Sequence, residues 1–167
     1  EPFFLLHAAE CAYRTGRHEQ ALKYIEQALE ILEPQRAQEE VPHRITRLYW
    51  VLLLLLNVVN AHLGQPGPND APVTLDALLD LLNEGNTESP VNRALYLSWF
   101  AEAAALRGDD RLAKEGLALV QQEAEPMIQF GNKEIICKIE SVQRFVGTDK
   151  MGASSDGSVG GANRGLN

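Results

Sequence analysis

One spacing constrains this chain more than any other feature. At 12–21 the sequence reads AYRTGRHEQA and at 104–113 it reads AALRGDDRLA, and in both a glycine stands five residues before an alanine. A further small residue lies seven positions before each glycine, at Ala9 and Ala101. Glycine enters left-handed backbone without steric cost, so it lets the chain leave a helix sharply. Small residues at helical spacing on both sides let two helices cross closely, where larger side chains would push the backbones apart. The pattern therefore predicts antiparallel helical hairpins joined by links of about two or three residues.

Apolar periodicity extends that reading along the chain. The segment FFLLHAAECAYRT at 3–15 predicts a helix closed by Gly16. A second helix is expected from His18 to about residue 33, with Ala21, Leu22, Ile25, Ala28, Leu29 and Leu32 on one face. Pro34 is expected to end it. The stretch 34–42 is polar, and Pro42 suits the start of a long helix over 43–62 that ends at Gly64. GQPGPNDAP at 64–72 holds three prolines and two glycines and can only be a loop. Thr74 can cap the next helix, whose buried stripe would be Ala77, Leu78, Leu81 and Leu82.

After a loop at 84–89, Pro90 opens a helix over 91–107, which stops at Gly108. Asp109 or Asp110 can cap its partner, expected to end near Pro126. A last helix is expected at 133–146, carrying Ile135, Ile136, Ile139, Val142 and Phe145. The fold class is all-α, with about seven helices in one domain over 1–146. Its hairpins fall at 3–34, 43–84 and 91–126. The glycine- and serine-rich stretch at 147–167 has too little apolar surface to offset the entropy of ordering it, and reads as a flexible tail.

Composition narrows the partners. The 167 residues include 23 acidic and 15 basic side chains, a formal charge of −8. An acidic surface repels phosphate backbones and anionic lipid, so neither nucleic acid nor a membrane is expected as a partner. A protein or peptide with basic flanks is easier to accommodate. Cys11 and Cys137 are too few for a disulfide scaffold or a metal quartet, and are expected as reduced thiols in the core. No Asn-x-Ser/Thr glycosylation sequon occurs, in keeping with a cytoplasmic setting. The apolar run LYWVLLLLLNVV at 48–59 would rise about 18 Å as a helix, against a hydrocarbon core of about 30 Å. It is expected as a buried helix.

The helical pairs resemble the tetratricopeptide repeat family, whose pattern is a 34-residue helix pair with small residues at its eighth and twentieth places and glycine near the fifteenth. Ala9, Gly16, Ala21, Ala28 and Pro34 stand at those places in the first unit, with the proline one residue late. Ala101, Gly108, Ala113 and Pro126 match in the third. Gly64 and Ala77 serve the middle unit if the proline-rich loop is an insertion, and Asn57 replaces its small residue. Leu5, Leu53 and Leu97 stand where the family has tryptophan or leucine early in the first helix. The resemblance covers roughly 3–126 and implies a right-handed solenoid of antiparallel helical hairpins.

It also implies a function. Family members bind peptides or helices on the concave side, lined by the first helix of each repeat. Carried over by position, the inward candidates in the first unit are Leu6, Glu10, Tyr13 and Arg14. The middle unit contributes Leu54, Val58, Ala61 and His62, and the third Ser98, Glu102, Ala105 and Leu106. Leu6, Glu10 and Arg14 stand where one subfamily clamps a carboxylate with lysines and asparagines, so that clamp is absent. The mixed apolar and acidic lining points to a helical or hydrophobic partner with basic flanks. The chain is therefore expected to be a non-enzymatic interaction scaffold. The alternative is a regulatory or sensor domain of a larger transcription regulator or signalling ATPase.

Other constellations are weaker. Tyr49 and Trp50 beside the leucine run read first as core, and otherwise as a hydrophobic groove or a self-association surface. Trp99 and Phe100 are adjacent and cannot both point inward on one helix face, so one is expected to be half exposed. His7, Glu10 and Cys11 share a helical turn but lack the second ligand pair of a metal site and the orienting group of a nucleophile. No catalytic residue, metal or cofactor is expected. Arg44, Arg47 and Arg93 can meet acidic neighbours or a partner's carboxylate. QPGPND at 65–70 is either a recognition tip or a bare insertion. Deletion of 148–167 should leave helical content and the thermal unfolding midpoint nearly unchanged, as circular dichroism would read. A lost cooperative transition would mean that the tail packs on the body.

Overall fold

The computed structural model describes residues 1–71, 74–84 and 89–129, with 133, 136, 137, 139, 140, 143 and 144 besides. Among the described residues there are six α-helices and no strand. They are α1 (Pro2–Arg14), α2 (His18–Arg36), α3 (His43–His62), α4 (Leu75–Asn83), α5 (Pro90–Leu106) and α6 (Asp110–Gln129). The all-α expectation holds. Most of the seventh expected helix, at 133–146, and the whole tail lie outside the described residues.

The helix ends follow from local chemistry. Gly16, Gly64 and Gly108 take φ of 74°, 68° and 78° and close α1, α3 and α5. At each, the residue after glycine donates its N–H five residues back. The pairs are Arg17 to the Ala12 carbonyl (2.9 Å), Gln65 to Asn60 (2.8 Å) and Asp109 to Ala104 (2.9 Å). This is the Schellman arrangement, which satisfies carbonyls that a helix end would otherwise leave bare. At the starts, Thr74 Oγ1 accepts from the Ala77 N–H at 3.2 Å, and Asp109 Oδ1 accepts from Leu112 N–H at 3.0 Å. Ser89 Oγ does the same for Asn92 N–H at 3.2 Å, ahead of Pro90 in the first turn of α5.

Two prolines do not stop their helices where the sequence suggests. Pro34 lies within α2, which continues to Arg36, and Pro126 lies within α6, which continues to Gln129. Each falls in a final turn. There a proline forfeits one amide bond and crowds one carbonyl near an end that is already loosening, so the helix survives it.

α1 packs on α2 and α5 on α6 as tight hairpins, while α3 lies between α2 and α5. The leucine run is explained by that position. Leu52, Leu53, Leu54 and Leu55 are all buried, because α3 meets neighbours on opposite sides. By length and composition α3 could cross a membrane, yet 56% of its most apolar 18-residue window is buried inside the fold. α4 is set apart. Its close backbone neighbour is α6, and it meets α3 through side chains such as Trp50, Leu54, Leu81 and Leu82.

α5 is the most enclosed element, with every residue from 94 to 104 buried. Trp99 and Phe100 are 1% and 3% exposed, so neither is half exposed as expected. The correction has a simple cause. With α3 on one side and α6 on another, α5 has more than one inward face. Trp99 sets its ring edge-on to Tyr13, at a centroid distance of 6.3 Å. Phe100 lies under Gly116 of α6, where a Cβ would come 3.0 Å from Ala101 Cβ and 3.7 Å from Phe100 Cδ1. The cysteines are free as expected, but both are exposed and not in the core. On α1 the inward stripe belongs to Leu6, Ala9, Ala12 and Tyr13, which turns Cys11 outward.

Two glycines should respond differently to substitution. Gly16→Val meets no atom within 4 Å of its Cβ, so its cost is backbone strain at positive φ, at least about 1–2 kcal/mol. Gly116→Val overpacks the α5–α6 crossing, at about 1–3 kcal/mol. Urea unfolding should show Ala101→Gly restoring part of the loss in Gly116→Val and none of the loss in Gly16→Val.

Candidate functional site

The ends of α1, α3 and α5 converge on one buried carboxylate. Glu102 is 3% exposed, and both of its oxygens are taken. The Tyr13 hydroxyl donates to Oε2 across a short hydrogen bond, and His62 Nε2 lies 2.8 Å from Oε1. His18, from the first turn of α2, stacks on His62 with ring centroids 4.2 Å apart and planes 10° apart. Tyr13 stands edge-on to His62 at 5.9 Å and to Trp99 at 6.3 Å. Four helices thus meet around one negative charge.

Three of the expected inward residues, Tyr13, His62 and Glu102, are brought together in this way, one from each of α1, α3 and α5. The rest divide by burial. Leu6, Leu54, Val58 and Ser98 are buried among the helices. Ser98 Oγ donates to the Leu95 carbonyl of its own helix at 2.6 Å, so its hydroxyl is satisfied locally. Glu10, Ala61, His62, Ala105 and Leu106 are half-buried and Arg14 is exposed. A partner on this face can reach Glu10, Arg14, His62 and Leu106. It cannot reach the six buried residues Leu6, Tyr13, Leu54, Val58, Ser98 and Glu102, since inter-helix packing consumes them. His18 and Trp99 belong to the cluster although position in the repeat did not single them out. The only hint of His18 in the sequence is its place directly after the Gly16 turn.

The chemistry of the cluster is that of a clamp. A buried carboxylate with two donors is stable where one with none would be costly. Cys11, two residues before Tyr13, is exposed on α1, so no thiol joins the histidines. His7 Nδ1 lies 3.6 Å from Glu10 Oε2 at the exposed side of the same helix. Among the described residues no three His, Cys, Asp or Glu side chains gather to hold a metal.

Two hollows lie near the 65–71 loop, which is itself pinned. Asn60 Nδ2 donates to the Pro66 carbonyl at 3.1 Å and the Tyr49 hydroxyl to Asp70 Oδ2 at 3.2 Å, with the Arg36 guanidinium 3.4 Å above the Tyr49 ring. One hollow, of about 440 Å³, includes Asn57, Gly67, Phe100, Arg107 and Leu112 in its walls. The other is a groove of about 790 Å³ beside Trp50, edged by Asp70, Asp80 and Glu84. Arg93, a candidate for a partner's carboxylate, is engaged instead. It pairs with Glu123 at 3.1 Å and donates to the Leu82 carbonyl at 3.0 Å, tying α4 to α5 and α6. Comparison with protein-family models, curated proteins and solved structures returns no match.

The clamp predicts a pH signature. Burial first, then the Glu102 charge and its hydrogen bond, raise the Tyr13 phenol well above its ordinary pKa of 10.0. The unfolded phenol ionises near pH 10 and the folded one does not. The stability it contributes is therefore complete below about pH 10 and falls as pH rises further, by at most about 1.4 kcal/mol per unit. Urea midpoints at about pH 8.5 and about pH 11 should fall more in the wild type than in Tyr13→Phe. Equal falls in the two proteins would remove Tyr13 from the titration.

Proposed function

We propose that this chain is a non-catalytic protein-interaction module of tetratricopeptide type, cytoplasmic, which docks a peptide or helix carrying an apolar anchor and basic flanks. The tight hairpins α1–α2 and α5–α6, the left-handed glycines that end α1, α3 and α5, and the convergence of those three helices support the architecture.

The observation that carries the function is the groove beside Trp50. Its indole is half-buried and flanked by Leu81 and Ala77, while Asp70, Asp80 and Glu84 bring negative charge to the edge. Among the described residues lining it there is no lysine or arginine. Asp80 on α4 and Glu84, the residue that follows the helix, both border the groove, so both can meet a cation on the same ligand. An aromatic anchor inside a like-charged rim favours an apolar side chain flanked by lysine or arginine. On the inner helix face half of the candidates are buried. The departure of α4 from α3 is what opens the groove.

Selection from a displayed peptide library on the intact chain tests this reading. Enriched peptides should share an apolar residue with basic neighbours, and should weaken as salt is raised. Asp80→Lys with Glu84→Lys should reduce their affinity about 10-fold or more, and Trp50→Ala should do likewise with helical content unchanged. Failure to enrich any peptide, or undiminished binding to the charge-reversed variant, would sink the proposal. A second reading, a sensing domain within a larger regulator or signalling ATPase, is favoured by the separate hollow at Arg107.

A further inference from the structure

Arg107 closes α5, and its guanidinium reaches back to α3. Nη1 donates to Asn57 Oδ1 at 2.6 Å and Nη2 to the Asn57 carbonyl at 3.0 Å. Both acceptors are neutral. Other arginines of this chain have carboxylates beside them: Arg93 has Glu123 at 3.1 Å, and Arg111 has Glu115 at 2.9 Å. Among the described residues Arg107 has no carboxylate within ion-pair distance. Partial burial alone lowers its pKa from the usual arginine value, with no neighbouring negative charge acting the other way. Arg107 is thus a guanidinium held on two neutral acceptors in a chain with 23 acidic against 15 basic residues.

The surroundings are shaped. The loop comes down on the Arg107–Asn57 pair so closely that a Cβ at Gly67 would lie 2.5 Å from Asn57 Oδ1 and 3.2 Å from Arg107 Nη2. Beside the pair is the hollow of about 440 Å³, with Phe100, Ala104, Leu112 and Pro68 as apolar walls and Asn69 as an added amide. That volume falls in the range of small-molecule sites. Asp109 is also at the wall, with Oδ1 committed to the Leu112 N–H as the cap of α6.

We propose that this hollow is a binding site for a small organic monocarboxylate with an apolar body. The carboxylate sits on the free N–H groups of Arg107, and the hydrocarbon part lies against Phe100, Ala104 and Leu112. Charge decides the class of ligand. With Asp109 also at the wall, a monoanion on the single guanidinium is repelled less than a phosphate dianion would be. Geometry agrees, because a planar guanidinium presents parallel N–H groups that match a carboxylate. Tethering α5 to α3 accounts for the two bonds to Asn57. It does not account for the hollow or the missing counter-charge. The site shares no residue with the groove beside Trp50, so either can fail without the other.

The test is calorimetric titration of the intact chain with isovalerate and benzoate, and with inorganic phosphate as the competing anion. Expected are saturable binding of at least one carboxylate, weaker binding of phosphate, and a loss of about 10-fold or more in Arg107→Gln. Should Arg107→Gln fail to fold, Leu112→Trp fills the apolar side from a half-buried position and must weaken the carboxylate equally. No saturation up to about 10 mM, phosphate binding as tight as the carboxylates, or full affinity in a folded variant would each overturn the proposal.

Discussion

Glu102 is a charge placed where water cannot solvate it, and the inner layer of this protein is arranged to make that tolerable. Tyr13 from α1 and His62 from α3 each supply a partner to one of its oxygens, and His18 from α2 covers the far side of His62. Removing one partner of such a buried set costs about 3–5 kcal/mol, mostly through the charge left uncompensated. The three helices are therefore locked in register as well as packed, since a slip of one residue on any of them would turn its polar group away. Apolar contacts between α3 and its neighbours would tolerate such slips far better. The leucine run supplies cohesion and the polar cluster supplies position.

The middle of the chain differs from the hairpins on either side of it. Asn57 stands where a small residue would be expected, and its amide and carbonyl both receive Arg107 from α5. The proline-rich loop is held by Asn60 and Tyr49 and roofs that contact through Gly67. Because the connection from α3 to α4 is long, α4 need not fold straight back on α3 and rests near α6 instead. A groove opens beside Trp50 as a consequence, and a second hollow forms under the loop. Two tight hairpins, α1–α2 and α5–α6, thus flank a less regular middle segment.

Charge is distributed unevenly. Most of the excess acidity lies on exposed faces, where water screens it. Asp70, Asp80 and Glu84 gather along one groove, while Arg107 makes no ion pair with a described carboxylate and bonds to Asn57 instead. The two hollows differ in size, about 790 Å³ beside Trp50 and about 440 Å³ beside Arg107.

Much of the architecture was legible in the sequence because it depends on local rules. Gly16, Gly64 and Gly108 announce helix ends through the backbone conformation only glycine reaches easily, and Thr74 and Asp109 announce starts through side chains that satisfy nearby amides. The family resemblance, carried over by position, implied inward places for Tyr13, His62 and Glu102. It could not say that they would meet one another rather than a partner, because hydrogen bonds between residues 40 and 89 positions apart depend on how helices are stacked. Helical continuation through Pro34 and Pro126, the burial of both Trp99 and Phe100, the exposure of Cys11 and the pairing of Arg107 with Asn57 were likewise decided by tertiary packing. Each depends on what lies across from the residue, and the neighbour across a helix interface is set by three-dimensional contact, which no local spacing encodes.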